Sequence, residues 1–234
     1  DYLKVSVTLD ITKALGVITS VTLQNNGSPC TDTVRDAGAD SYTRLIMPSI
    51  EREIRSMLTE RADADAIKVF SQNLQQLLMQ PPIKDTITIG LDPGYRTGCK
   101  VAVVDGTGRV LEVGVIYPTP PTTPQKIEDA KKKVSALIEK HKVDIISIGN
   151  GTASRESERF IAERVLRDPL CPKGVKYTIV SEAGASVYSA SKLAAEEFPE
   201  FDVMQRSAVS IARRLQDPLA ELVKIEPKAI GVGQ

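Results

Sequence analysis

Two carboxylates close apolar runs in this chain. Asp92 ends the alternating run Ile87-Thr88-Ile89-Gly90-Leu91, and Glu182 ends Tyr177-Thr178-Ile179-Val180-Ser181. Apolar residues at a period of two predict strands, so both acids are expected at strand tips. Pro93-Gly94 then stops the first strand and allows a tight turn. If the two strands are neighbours the acids converge, and like charges held close call for a cation between them. Carboxylate oxygens with open coordination positions suit Mg²⁺ or Mn²⁺ better than zinc. A pair of such ions would activate water and stabilise the leaving oxygen in phosphodiester hydrolysis.

A second candidate is the loop Gly149-Asn150-Gly151-Thr152-Ala153-Ser154-Arg155-Glu156. It follows the apolar run 143–148 and feeds a helix carrying Phe160, Ile161, Val165 and Leu166. Free amides and the positive dipole end at a helix start can hold an anion. Thr152 or Ser154 can cap the helix, and Arg155 adds a fork of donors. An ordinary strand-to-helix turn has the same composition, so both readings stay open.

These residues need a frame. After Asp92 the run Val101-Ala102-Val103-Val104 predicts a second strand and residues 109–117 a third. The proline-rich stretch 118–124 is a stiff connector. Residues 127–140 carry an amphipathic helix, with His141 near its C-terminus in a structural role. Strand 143–148, a helix, strand 177–182, a small-residue helix to Phe198 and a long helix 202–215 complete the order. An antiparallel start followed by βαβ crossovers predicts an α/β mixed sheet with helices on both faces. Ligand sites of such sheets gather at strand C-termini, where Asp92 and Glu182 lie.

Upstream, alternation in residues 3–9 and a second run at 17–24 before Asn25-Asn26-Gly27-Ser28 predict a β-hairpin. Residues 31–80 read as helices, one opening near Pro48 and a further one capped by Asp63 or Asp65. Pro81-Pro82 marks a boundary, giving a hairpin plus helical segment (1–80), an α/β domain (81–225) and a short following segment (226–234).

Lys and Arg number 30 against 30 Asp and Glu, so binding to nucleic acid by bulk charge is not expected, whereas a local basic face remains open. Cys30, Cys99 and Cys171 lie far apart without a CxxC, which suggests neither a zinc site nor a disulfide framework and fits a reducing cytoplasm. No apolar run approaches the roughly 20 residues needed to span a bilayer, so no membrane is expected as a partner. The chain opens on Asp1 and ends on Gly-Val-Gly-Gln, which reads as part of something longer.

Leu91-Asp92-Pro93-Gly94 and the strand after it resemble the first motif of RuvC-type Holliday-junction resolvases and YqgF domains, in the ribonuclease H-like superfamily. The blocks Asp92 to Lys100, Gly149 to Glu156, Val180-Ser181-Glu182-Ala183-Gly184-Ala185-Ser186-Val187-Tyr188 and Val209 to Ala220, with Ser49-Ile50-Glu51-Arg52-Glu53-Ile54-Arg55, resemble the Tex family of bacterial transcription accessory proteins. The resemblance runs from about Asp40 to Gln234. It implies a ribonuclease H-like fold and a nucleic-acid-binding role linked to transcription. It also implies further modules outside this chain, namely a helical region, a helix-hairpin-helix segment and an oligonucleotide-binding fold.

Active RuvC-like enzymes carry a third acid at the start of the last helix. The matching place here is Arg206-Ser207-Ala208, with Asp202 a turn earlier and Asp217 about ten residues later. A guanidinium at Arg206 turned into the site would oppose metal binding. The leading expectation is therefore a catalytically degenerate domain that binds RNA or single-stranded or duplex DNA, mostly through modules outside this chain, and works beside the transcription machinery. Its expected phosphate contacts are Arg96, Lys100, Asn150, Thr152, Arg155, Arg213 and Arg214, with at most a weak metal site at Asp92 and Glu182. With no Trp and 4% aromatic residues, base stacking is a minor term. The alternative is a Mg²⁺- or Mn²⁺-dependent nuclease or resolvase using Asp92, Glu182 and Asp202 or Asp217. A third class, the actin-like ATPases, needs a second phosphate hairpin that does not follow here.

Overall fold

The computed structural model describes residues 5–24 and 27–231. The chain forms two compact units, residues 1–69 and 70–234. Among the described residues no helix is long and apolar enough to cross a membrane.

The first unit is helical, and here the expected hairpin gives way. Residues 5–10 form no strand, and α1 spans Ile11–Thr22; Leu3, Asn25 and Asn26 lie outside the described residues. Asp10 opens α1 by accepting from the amides of Thr12 (3.0 Å) and Lys13 (3.3 Å). The half-buried residues Ala14, Leu15, Ile18 and Thr19 recur at helical spacing, which outweighs the shorter alternation around Val17.

Helix α2, Thr31–Ser41, continues through a π-helical turn, Tyr42–Ile46, into α3, Met47–Leu78. Pro48 sits in the first turn of α3, next to the widened turn that takes up its missing N–H. The further helix start expected at Asp63 or Asp65 does not occur. Both lie inside α3 and are exposed, so neither competes for a cap.

The second unit is built on five strands: β1 Thr88–Asp92, β2 Cys99–Val104, β3 Val110–Ile116, β4 Ile145–Gly149 and β5 Lys176–Val180. Their order is β3-β2-β1-β4-β5. β2 runs antiparallel to β1 and β3, while β4 and β5 run parallel to β1, as the antiparallel start and βαβ crossovers require. Alternation along β1 sends Ile89 and Leu91 to one face and Thr88, Gly90 and Asp92 to the other.

On the first face, Ile89, Leu91, Val101, Val103, Ile146 and Ile148 pack with Val134, Leu137 and Ile138 of helix α4, Pro124–His141, and with Phe160 of helix α5, Ser154–Phe160. Helix α4 starts three residues before its expected boundary, with Thr123 as cap and Pro124 in its first turn, where a missing N–H costs nothing. Helices α6, Ala185–Ser189, and α7, Lys192–Glu197, lead to α8, Val203–Gln216, and α9, Pro218–Leu222.

Helix α8 covers the second face, with Ala208, Val209 and Ala212 against Ala102 and Val104. A Cβ at Gly90 would overlap the Ala208 carbonyl and sit 2.8 Å from Ala212 Cβ, so only glycine lets the helix come this close. Asp202 opens α8 with a capping box: its carboxylate accepts from Gln205 N (2.8 Å), and its own N–H donates to Gln205 Oε1 (3.0 Å). At the other end Gln216 Nε2 donates to Thr86 O and Asp105 O, both at 2.8 Å. Helix α8 therefore lies along the sheet with Ser207 toward Asp92 and Gln216 toward the opposite end.

Candidate functional site

Asp92 and Glu182 meet, though by a different route from the one expected. Their strands are not neighbours, because β4 lies between β1 and β5. Two strand spacings, about 9–10 Å, would hold the carboxylates apart. Glycine closes the gap. A Cβ on Gly151 would overlap Glu182 Oε1, and one on Gly149 would sit 2.5 Å from Glu182 Oε2 and 3.2 Å from Pro93 Cδ. The Glu182 side chain thus crosses the bare end of β4 toward Asp92. Asn150 pins the base of this arrangement: its Oδ1 accepts from Glu182 N (3.0 Å), and its own N–H donates to Val180 O (3.1 Å).

Burial pushes the Asp92 carboxyl up to about 6; the Ser207 hydroxyl opposes that rise, the Glu182 charge adds to it, and Lys100 pulls against it. Ser207, from the first turns of α8, therefore stands where a third acid was sought. Arg206, its neighbour, turns away. Its Nε donates to Phe198 O (3.0 Å) and its Nη1 to Ser189 O (3.5 Å), so it does not enter the site.

Neither substitute acid reaches the pair. Asp202 is engaged in the capping box of α8. Asp217 caps α9, accepting from Ala220 N at 3.0 Å, and about 15 Å of helix separates it from Ser207. It borders a cleft of about 400 Å³ at the other end of the sheet, shared with Lys84, Gly108, Arg213 and Lys224. The reading of Asp217 as a catalytic residue is corrected on this ground. Among the described residues no cluster of three or more His, Cys, Asp or Glu could hold a metal ion. Two carboxylates, a hydroxyl and a buried lysine do not fit the donor set of a two-metal Mg²⁺ or Mn²⁺ centre.

The expected phosphate contacts divide. Arg96, Asn150, Thr152 and Arg155 are exposed at the acidic end of the sheet. Lys100 is only 4% exposed, and its Nζ donates to Thr97 O (2.7 Å) and Gly98 O (3.0 Å) inside the β1–β2 turn. Arg214 is 3% exposed and donates through Nη1 to Ser181 O (2.9 Å) and Ala183 O (2.7 Å). Burial pulls its pKa down to about 10 against the raising effect of Glu221 and Glu182. Arg213 lies at the far end, bound to Gly108 O (2.7 Å) and Glu197 Oε1 (2.5 Å) with its guanidinium over Phe198. Lys100 and Arg214 are corrected to internal cations, and Arg213 to a half-buried one that lines the far cleft. As for the 149–156 loop, α5 has only seven residues and is entered through Ala153 at φ 63°, without a side-chain cap from Thr152 or Ser154.

Reasoning from the sequence missed Ser207 and the inward roles of Lys100 and Arg214. A usable signal was present for the lysine, since a hairpin between Asp92 and the second strand places Lys100 across from the acid.

The strand order and the acidic strand ends define a ribonuclease H-like domain. Residues 86–216 match the family described as the Tex protein YqgF-like domain, and the chain belongs to that family. It is 54% identical to Protein tex of Bordetella pertussis over 81% of this chain and 23% of that protein. It is 46% identical to S1 RNA-binding domain-containing protein 1 of Homo sapiens over 83% of this chain and 19% of that protein. The chain thus spans less than a third of the length of the curated relatives it matches. Among solved structures, Thermus thermophilus RuvC aligns with a TM-score of 0.41 at 16% identity, covering 60% of this chain and 98% of that one.

Proposed function

We propose that this domain serves a cytoplasmic, nucleic-acid-binding transcription accessory protein as a binding and architectural module that does not cut. The observation that carries this reading is Ser207 beside Asp92, where hydrolysis through two metals calls for another carboxylate. Arg96, in the turn after β1, and Arg155, in the first turn of α5, are exposed and supply the phosphate contacts, with Asn150 and Thr152 in the loop after β4. Such contacts are sequence-tolerant and weaken with salt. The RNA-binding name of the human relative and the transcriptional name of the bacterial family favour RNA or DNA as the ligand.

The test is incubation of the full-length protein with branched, duplex and single-stranded substrates in Mn²⁺. Binding without cleavage is expected. Cleavage that disappears in Asp92→Asn would overturn the reading and establish a nuclease.

A further inference from the structure

We infer that Lys100 is a built-in cation that takes the place of a divalent metal beside Asp92. In the β1–β2 register Lys100 lies directly opposite Asp92, so both side chains leave the sheet on the face covered by α8. The ammonium is not a loose surface charge. It is 4% exposed and held by the carbonyls of Thr97 and Gly98. From there it interacts with Asp92 and also with Asp202 at the head of α8.

A second buried cation lies near the other carboxylate: Arg214 donates to the carbonyls on either side of Glu182, and its charge acts on Glu221 first and Glu182 second. Each strand-end acid thus has a buried cation in its neighbourhood, with Arg214 shared between Glu182 and Glu221. A divalent ion entering between the acids would meet two positive charges in a desolvated setting, and repulsion there is weakly screened. The disagreement between these residues and a two-metal donor set therefore goes beyond one lost acid. Charge that a metal would supply is already present in the chain.

The inference deepens the binding reading above and rests on its claim that no catalytic metal is used. The experiment is a Mn²⁺ titration of the full-length protein without nucleic acid, followed by electron paramagnetic resonance. Asp92→Asn serves as the subtraction for sites elsewhere. Wild type is expected to show no Mn²⁺ site that Asp92→Asn removes. Lys100→Met should gain one such site, at least about tenfold tighter than any in wild type, and Lys100→Met/Asp92→Asn should lose it.

Lys100→Met also strips donors from Thr97 and Gly98, so its melting curve is recorded alongside. Ser207→Asp provides the independent arm, because it restores a third acid while keeping Lys100. On this inference Ser207→Asp alone still binds no Mn²⁺ tightly. An Asp92-dependent site in wild type as tight as that of Lys100→Met overturns the inference, as does a folded Lys100→Met that gains none. Tight Mn²⁺ binding by Ser207→Asp with Lys100 in place does the same. Cleavage and nucleic-acid binding are measured separately, so a failure here is distinguishable from a failure of the functional reading.

Discussion

Arg214 brackets Glu182: its Nη1 donates to the carbonyls of Ser181 and Ala183, the residues immediately before and after that acid. The loop that presents Glu182 is thereby fixed from the interior of α8. Truncating Arg214 would leave two carbonyls without this donor in a buried setting. Arg214→Ala is expected to destabilise the domain by about 3 kcal/mol, read by chemical denaturation. Arg214→Lys should recover only part of the loss, since an ammonium lacks the planar fork.

Glycines at two places should respond differently to the same added methyl group. A Cβ at Gly90 meets the backbone of α8 at Ala208, which cannot move without lifting the helix from the sheet. Gly90→Ala should cost about 3 kcal/mol or more. At Gly151 the obstacle is the end of the Glu182 side chain, which can swing aside. Gly151→Ala should cost about 1 kcal/mol while displacing Glu182 from Asp92. Parallel thermal melts of the two variants check the contrast.

The pH dependence at Asp92 has a defined sign. Its carboxyl is raised from 3.8 to about 6 by folding, chiefly through burial, so the folded state holds the proton more tightly than the unfolded chain. That contribution to stability is complete below pH 3.8 and is lost as the pH rises through about 6. Asp92→Asn should therefore stabilise the protein by roughly 2 kcal/mol at pH 7.5. The gain should vanish near pH 3.5, as followed by melting temperature across the range.

Nucleic-acid affinity should depend on the exposed arginines beside the acids and not on Arg213, which is tied down at the far end of the sheet. In the full-length protein, Arg96→Ala and Arg155→Ala are each expected to weaken binding by about three- to tenfold and to lower the salt slope by about one. Arg213→Ala, which removes a group tied to Gly108 and Glu197 at the other end of the sheet, should leave binding unchanged. Fluorescence anisotropy at several salt concentrations separates these outcomes.

Much of the sheet was legible because period-two runs bounded by Gly and Pro have few other solutions. The strands ending at Asp92 and near Glu182, the hairpin between β1 and β2, and the long last helix all follow from such runs. The meeting of the two acids was legible only in outcome. Which strand lies between β1 and β5 is a matter of crossover geometry, and the bare Gly149 and Gly151 that let Glu182 pass have no local signature.

Ser207 was overlooked in favour of Arg206. One helical position is about 100° of rotation, so the buried side of α8, marked by Ala208, Ile211 and Ala212, was the better guide. The opening hairpin failed for a related reason. Asp10 followed by Ile11, Ala14, Leu15 and Ile18 is a capped helical pattern, and the β-branched residues between them imitated a strand.

The amide of Gln216 ties the last turn of α8 to the carbonyl of Thr86, a residue 130 positions earlier in the chain. The floor beneath that helix, Gly90 with Ala102 and Val104, is covered by Ala208, Val209 and Ala212 of α8 together with Phe198 just ahead of it. During synthesis β1 and β2 emerge from the ribosome well before α8 does. The apolar patch they carry is closed only by residues about a hundred positions later in the chain, a long-range contact of the kind that slows folding.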